Sequence, residues 1–239
     1  MASRRPRQMR GAASFFQLAT MDCELEKRKT VSGNRVMIFP AASSARPLAA
    51  HVWAKEKDGF YVEPQWCSDR LFEVEKFTGD IWDPACGIGR IADAASRAGH
   101  RPIIATDIVD RGYARFDGII DFLSEDLSPV TNIVTNPPFQ TCNAFVRRAL
   151  EVATDKVAMI WLARRLNAAR WLQAAPLARI YFLTPRPSMP PGQVILAGEK
   201  PGGGTQDFVW LIFSDGHAGP PEVRWLHRDG KQPCSETGA

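Results

Sequence analysis

The segment Asp80-Ile-Trp-Asp83-Pro-Ala85-Cys86-Gly87-Ile-Gly89, followed by Arg90-Ile-Ala-Asp-Ala-Ala-Ser-Arg97, decides the fold. Residues 80–82 predict a short strand, the two glycines predict a tight turn, and residues 90–97 predict a helix. A glycine turn between a strand and a helix lets the backbone approach a ligand closely, and unpaired N–H groups at the helix start face that ligand. The segment therefore predicts a nucleotide-binding turn in a parallel α/β sheet.

Downstream, short apolar runs alternate with amphipathic stretches, which is typical of strands and crossover helices. A helix capped by Ser68-Asp69 is predicted to run through Glu75, ahead of the glycine turn. Residues 185–204 are rich in proline and contain three consecutive glycines, so they predict a loop. The remaining predicted strands cover residues 102–106, 118–120, 132–135, 157–162, 180–183 and 208–213, and the remaining helices cover residues 143–152 and 167–174.

Acidic side chains follow two of these strands. Asp107 stands where a carboxylate can accept hydrogen bonds from ribose hydroxyls, and an ordinary helix cap is the alternative. Asp121 is followed by Phe122, so a carboxylate for an exocyclic amine stands next to a ring that can pack on adenine. A chance acid in a loop is the alternative for Asp121, because Glu125 and Asp126 lie close by in the sequence.

The strand at residues 132–135 ends in Asn136-Pro137-Pro138-Phe139, the motif with the most specific chemistry. An exocyclic amine on a heteroaromatic ring is a poor nucleophile because its lone pair is delocalised into the ring. Acceptors for its N–H groups make the nitrogen more tetrahedral, and the Asn136 side-chain carbonyl and Pro137 backbone carbonyl are the predicted acceptors. The prolines stiffen the loop, and Phe139 offers a face for a flipped-out base. These four residues are the predicted catalytic residues, with a simple Asn-Pro turn as the alternative.

At these residues the chain resembles the class I S-adenosylmethionine-dependent amino-methyltransferases, whose catalytic loop reads Asn/Asp-Pro-Pro-Phe/Tyr/Trp. Within them it is most similar to small phage-type DNA adenine methyltransferases, over residues 60–214. The resemblance implies an α/β, Rossmann-like fold with a mostly parallel seven-stranded sheet, a reversed final hairpin and flanking helices. It also implies S-adenosylmethionine as cofactor and direct attack of the amine on the methyl sulfonium, without a covalent enzyme intermediate.

The resemblance assigns roles by position. Residues 60–64 look like the family's Tyr-x-Thr-Pro element beside the cofactor carboxylate, which makes Tyr61 a cofactor-binding residue. Glu63 stands where threonine is usual, so this chain departs from the family at that contact. The other positions imply that Asp83, Ala85, Cys86, Gly87 and Gly89 line the methionine part of the cofactor, Asp107 the ribose, and Asp121 with Phe122 the adenine.

Length and composition bound the remaining possibilities. The 239 residues fit one sizeable domain, so we expect a basic N-terminal arm and linker at residues 1–50 and a methyltransferase domain at residues 51–239. No apolar run approaches the roughly 20 residues of a membrane span. The five cysteines form no CxxC pair, which favours a reducing, cytoplasmic setting and no metal site. Either a monomer or a homodimer fits the sequence.

The net charge of +4 favours polyanionic partners, and we expect DNA, with RNA as the alternative. Only residues 185–204 and the N-terminal arm are free to read a target, which predicts a short recognition site. Four arginines that follow predicted strands are candidate phosphate contacts, with a solvated surface as the alternative: Arg164, Arg165, Arg170 and Arg186.

The leading hypothesis is methylation of the 6-amino group of adenine in DNA. A second hypothesis keeps the enzyme class and changes the acceptor to an adenine or guanine amine of RNA or to a protein glutamine amide. Phe139 argues against glutamine, for which the family usually has tyrosine. A third hypothesis is a non-catalytic nucleic-acid-binding module on the same fold, and the intact loop argues against it.

Overall fold

A computed structural model describes Glu56 and residues 58–230, in which strands and helices alternate along most of the chain. The helices are α1 (Gln65–Val74), α2 (Arg90–Arg97), α3 (Cys142–Val152) and the short α4 (Gly192–Leu196). The strands are β1 (Ile81–Asp83), β2 (Ile103–Asp107), β3 (Gly118–Ile119), β4 (Val130–Thr135), β5 (Ala153–Leu162), β6 (Leu177–Thr184), β7 (Phe208–Ser214) and β8 (Glu222–His227).

These strands form one sheet in the order β3-β2-β1-β4-β5-β7-β6-β8. β7 runs antiparallel to both of its neighbours, whereas the other neighbouring strands are parallel. The predicted mostly parallel α/β sheet with a reversed strand near its end is therefore confirmed. The sheet has eight strands rather than the expected seven because β8 pairs with the outer edge of β6.

The centre of the sheet is buried on both faces. Along β5, Ala158 and Ile160 pack in the layer of α1 and α2, whereas Val157, Met159 and Trp161 pack in the layer of α3. Successive side chains of a strand point to opposite faces, so a strand covered on both sides needs apolar residues at every position. This explains why β5 reads as a continuous apolar run in the sequence.

The topology places a crevice between β1 and β4. From β1 the chain moves outward through β2 and β3, and it then returns to β4 on the other side of β1 and continues to β5. Ligands of open α/β sheets bind beyond the carboxyl ends of the strands at such a switch point. Asp83, Asp107 and Thr135 are the last residues of β1, β2 and β4, so the following loops meet at this edge.

Three sequence-based predictions of local structure were wrong. α1 begins at Gln65 after Pro64, a residue tolerated at a helix start, and Ser68 is buried within the helix instead of capping it. Residues 167–174 do not form one helix, because two 3₁₀ helices cover Ala163–Ala168 and Arg170–Ala174. Residues 185–204 are not entirely a loop, since they contain α4.

β8 was not predicted because its sequence, Glu222–His227, contains no continuous apolar run. Four of its six residues are exposed, and Leu226 is its only buried side chain. The predicted arm and linker at residues 1–50 lie outside the described residues. Within the described part of the chain, none of the helices has the length and apolar character needed to cross a bilayer.

Candidate active site

A cavity of about 500 Å³ lies at the carboxyl ends of β1, β2 and β4, a volume within the usual range of ligand pockets. The sheet therefore brings together side chains that are far apart in the sequence. The predicted site residues that line the cavity are Tyr61, Asp83, Ala85, Cys86, Gly87, Asp107, Asp121, Phe122, Asn136 and Pro138. Gly89, Pro137 and Phe139 are not among the lining residues.

The glycine turn is tied to the neighbouring strand by its backbone. Cys86 N–H donates to the Thr106 carbonyl at 2.9 Å, and Gly87 N–H donates to Asp107 Oδ2 at 2.9 Å. Gly87 has a positive φ of 53°, and a Cβ there would lie 2.8 Å from the Phe60 ring. Only glycine fits such a position without strain, so the turn keeps the cavity wall free of a side chain.

Gly89 has a different role from the one expected. It precedes α2 with a φ of 81°, and a Cβ there would lie 2.1 Å from the Tyr113 ring. Tyr113 in turn donates from its hydroxyl to Asp93 of α2 at 2.8 Å. Gly89 therefore permits close packing of Tyr113 over the helix start and does not line the cavity.

Asp107, the last residue of β2, and Asp121, which follows β3, both line the cavity. Asp107 is buried and also accepts from Val109 N–H at 3.2 Å through Oδ1. Asp121 accepts from Leu123 N–H at 3.0 Å, and a hydrogen bond from Ser124 lowers the pKa of its carboxyl. A carboxylate offers about four lone-pair sites, so both acids keep acceptor capacity for a ligand.

Phe122 is one of the apolar side chains on this wall. Its ring is nearly fully buried and packs edge-on against Trp82, with centroids 5.3 Å apart. It also contacts Phe145 of α3 at 5.1 Å. This packing fixes the position of the Phe122 ring on the cavity wall.

Two further acids that line the cavity, Asp83 and Glu63, are buried. Asp83 accepts from the Thr135 hydroxyl at 2.7 Å and from Ala85 N–H at 3.3 Å. Burial raises the pKa of Asp83 well above its usual value, and nearby Glu63 adds to the effect by charge repulsion. Burial also raises the pKa of Glu63. Burial thus disfavours the ionised form of both acids, and a positively charged group bound beside them would favour it.

Asn136 is held by its side-chain amide nitrogen. Nδ2 donates to the Tyr61 carbonyl at 3.0 Å and to Glu63 Oε2 at 2.8 Å. The amide oxygen Oδ1 is buried and has no hydrogen-bond partner among the described residues. A buried polar atom without a partner is costly unless a ligand satisfies it. Asn136 lines the cavity, so its Oδ1 is a candidate acceptor for a ligand, in addition to the carboxylates of Asp107 and Asp121.

The remainder of the loop is packed against the protein. Phe139 stacks on Tyr61 with ring centroids 5.5 Å apart, and its ring also contacts Phe208 at 5.4 Å. Its carbonyl accepts a hydrogen bond from Arg165. Pro137 is buried, and its carbonyl is not on the cavity wall. Phe139 thus stabilises the loop through Tyr61, and the face expected for a target base is not on the wall.

Sequence reasoning did not assign Phe60 and Arg111, which also line the cavity. The Arg111 guanidinium lies over the Phe60 ring, 3.9 Å from its centroid. Phe60 is wedged against Gly192 at the start of α4, where a Cβ would lie 1.8 Å from the ring. Arg111 belongs to no motif, and only the fold brings it to the site.

The candidate phosphate contacts fall into two groups. Arg165 is engaged with the Phe139 carbonyl, and Arg186 binds Asp207 through two hydrogen bonds of 2.6 and 3.2 Å. Arg164 and Arg170 are exposed and form no ion pair or hydrogen bond within the described part of the chain. These two side chains are therefore the ones available to a polyanion.

No protein-family model matches the chain, and a search of curated proteins finds no similar sequence. Solved structures do resemble it. A type I restriction-modification methyltransferase subunit from Streptococcus thermophilus aligns with a TM-score of 0.50 and 12% identity, over 66% of this chain and 45% of the subunit. A candidate RNA methyltransferase from Pyrococcus horikoshii aligns with a TM-score of 0.49 and 18% identity, over 70% and 93% of the two chains.

The likeness to the streptococcal subunit shows a shared fold, although this chain spans less than half of that subunit's length. Together with the strand order, it confirms the expected class I, Rossmann-like methyltransferase fold.

Proposed function

We propose that this protein is an S-adenosylmethionine-dependent methyltransferase that modifies the 6-amino group of adenine in DNA. One observation carries the proposal: Asn136 lines a cavity at the switch point of the sheet, and its amide Oδ1 is a buried acceptor without a hydrogen-bond partner among the described residues. An N–H group of a planar amine is a fitting partner for this atom, because the amide oxygen accepts and cannot donate.

The described residues fit the cofactor. The cavity of about 500 Å³ matches a ligand of this size, and the Gly87 turn leaves room for its close approach. We assign Asp83 and the residues of the turn to its methionine part, Asp107 to the ribose hydroxyls, and Asp121 with Phe122 to the adenine. When bound, the cofactor supplies an electrophilic methyl group on a positively charged sulfur.

The protein's own contribution is to bind and orient the amine. Asn136 Oδ1 accepts one N–H of the target, which directs the nitrogen lone pair out of the ring plane and increases its nucleophilicity. Pro137 and Pro138 fix the backbone φ angles of the loop, so little entropy is lost when the target binds.

DNA as the polymer is supported by the exposed Arg164 and Arg170 and by the net charge of +4. The streptococcal structure that shares the fold is a restriction-modification methyltransferase subunit. Positive side chains beside a nucleic-acid site bind phosphates without reading sequence, so they support affinity rather than base choice.

The test is methyl transfer from labelled S-adenosylmethionine to duplex DNA, RNA and protein, with the product base identified. We expect N6-methyladenine in DNA. Asn136→Ala should lower kcat by about a hundredfold to a thousandfold, the usual cost of removing one preorganised hydrogen-bonding group, while cofactor affinity measured by calorimetry is retained. Asn143→Ala, at an exposed position of α3, is the matched control.

Each outcome decides a different part of the proposal. Label found only in RNA or protein would show that the polymer is wrong. Cofactor binding with no transfer to any substrate would favour a non-catalytic module. An Asn136→Ala variant as active as the Asn143→Ala control would show that the loop does not activate the amine.

A further inference from the structure

Glu63 is a buried acid on the cavity wall, in contact with the candidate catalytic loop. Its side chain is almost fully buried, and it precedes α1 in the segment that also contains Tyr61. Its two carboxylate oxygens have different partners: Oε2 accepts from Asn136 Nδ2 at 2.8 Å and Oε1 accepts from the Ser68 hydroxyl at 3.4 Å. A buried carboxylate is costly unless such donors satisfy it, so this arrangement needs a reason.

The contacts of Glu63 select one orientation of the Asn136 amide. An amide can turn by 180° and exchange its oxygen and its NH₂ group. In the reversed orientation, Oδ1 would face the Glu63 carboxylate and the Tyr61 carbonyl, at the sites where Nδ2 now donates over 2.8 and 3.0 Å. The Tyr61 carbonyl only accepts hydrogen bonds, and so does the Glu63 carboxylate when it is ionised. The reversed orientation would therefore place Oδ1 against two acceptors.

We propose that Glu63 is a positioning residue that orients the Asn136 amide and thereby leaves Oδ1 as the acceptor for the target amine. This inference rests on the proposed function. Tyr61 contributes a backbone carbonyl, which no side-chain substitution removes, whereas Glu63 contributes a side-chain acceptor that can be changed. Glu63 acts through Asn136 and need not touch the substrate.

The same geometry argues against a role of Glu63 as a ligand of the cofactor carboxylate. Two carboxylates repel each other in a buried site, and both oxygens of Glu63 already accept hydrogen bonds within the protein. Arg90, the first residue of α2, lines the cavity and is near enough to Glu63 to interact with its charge. A guanidinium at this wall is a better partner for a ligand carboxylate than an acid.

The experiment compares Glu63→Ala and Glu63→Gln with the wild-type protein, using Glu199→Gln at an exposed site as the control. Glutamine keeps a side-chain carbonyl that can accept from Asn136 Nδ2, whereas alanine does not. We expect Glu63→Ala to lower kcat by about tenfold to a hundredfold, the cost of one charge-assisted hydrogen bond. Glu63→Gln should stay within about fivefold of wild type, since its acceptor is neutral but present, and the cofactor dissociation constant should change little in either variant.

A second measurement does not depend on transfer. With ¹⁵N-labelled protein, the side-chain amide protons of Asn136 should exchange slowly with solvent in the wild type and in Glu63→Gln, and faster in Glu63→Ala. If Glu63→Ala weakens cofactor binding as strongly as it lowers kcat, or if amide exchange is unchanged, Glu63 does not act by positioning Asn136. If the wild-type protein transfers no methyl group but its Asn136 amide protons exchange slowly, the positioning role of Glu63 stands and the proposed function is refuted.

Discussion

Replacing Asn136 by aspartate tests the hydrogen-bond geometry of the loop directly. The substitution changes one amide into a carboxyl group of nearly the same shape, so it creates no cavity. It puts an acceptor where Nδ2 now donates to Glu63 Oε2 at 2.8 Å and to the Tyr61 carbonyl at 3.0 Å. The resembled family uses either Asn or Asp at this position, but here the acid at position 63 makes the two residues unequal.

The expected loss of stability follows from the two hydrogen bonds. The bond to the Glu63 carboxylate is charge-assisted and contributes about 1.5–3 kcal/mol, and the bond to the neutral carbonyl contributes about 0.5–1.5 kcal/mol. Asn136→Asp should therefore lower the free energy of unfolding by about 2–4 kcal/mol when both acids are ionised.

The loss should depend on pH with a definite sign. The new carboxyl group and Glu63 are adjacent, so the folded protein holds a shared proton to a higher pH than the unfolded chain does. Burial already raises the pKa of Glu63, in the same direction. When the pKa of a group is higher in the folded state than in the unfolded state, its contribution to stability is fully present below the unfolded-state pKa. That contribution is lost as the pH rises through the folded-state pKa. The variant should thus lose less stability near pH 5, where the shared proton is present, and should fall furthest below wild type near pH 8.

Urea denaturation of wild type, Asn136→Asp and the double variant Asn136→Asp/Glu63→Gln at both pH values measures this effect. In the double variant the glutamine can donate to the new carboxylate, so about half of the lost stability should return, while the clash with the Tyr61 carbonyl persists. Equal stability of Asn136→Asp and wild type at pH 8 would refute the assigned contacts, as would additive effects of the two substitutions.

Other parts of the molecule give further predictions. Gly192→Ala should force the Phe60 ring to move, because its Cβ would lie 1.8 Å from that ring, and should weaken S-adenosylmethionine binding in calorimetry by about tenfold or more. Replacing Arg164 and Arg170 together by alanine should reduce the slope of log DNA affinity against log salt by about two. Burial raises the pKa of Glu75, but hydrogen bonds from Arg179 and Lys156 outweigh it, so the pKa is lowered overall. Glu75→Gln should therefore lower the free energy of unfolding in urea by about 2 kcal/mol at pH 7. The loss should become smaller as acid protonates the wild-type carboxylate.

Matched variants separate these effects from general damage. Gly118→Ala, where a Cβ would meet nothing within 4 Å, should leave cofactor binding unchanged. Arg186→Ala removes an arginine that is already paired with Asp207, so the salt slope should stay near the wild-type value. If the free energies of unfolding of Glu75→Gln and wild type fell in parallel on acidification, the pKa of Glu75 would be the same in the folded and the unfolded protein.

The predictable part of the site follows from one rule applied to the sequence. Apolar strands of a parallel sheet end at a common edge, so Asp83, Asp107 and Asn136 were expected to meet because each follows a strand. The strands at the centre of the fold were predictable because β7 and the second half of β5 are continuous apolar runs. β8 was missed because an edge strand with four exposed residues has no such pattern.

What the sequence could not supply is the contact partner of each side chain. Phe139 and Gly89 fit a motif, but their neighbours Tyr61 and Tyr113 decide that neither lies on the cavity wall.

Glu63 shows the limit most clearly, because a departure from the family motif can be read as a lost contact or as a new one. Its partner Asn136 lies 73 positions away in the chain, and only the fold brings the two groups together. An acid is a poor substitute for threonine beside a ligand carboxylate, yet it is a strong acceptor for an amide that must be held in one orientation. The substitution and the loop therefore have to be understood as a pair, so variants of Asn136 in this protein should be interpreted only together with the residue at position 63.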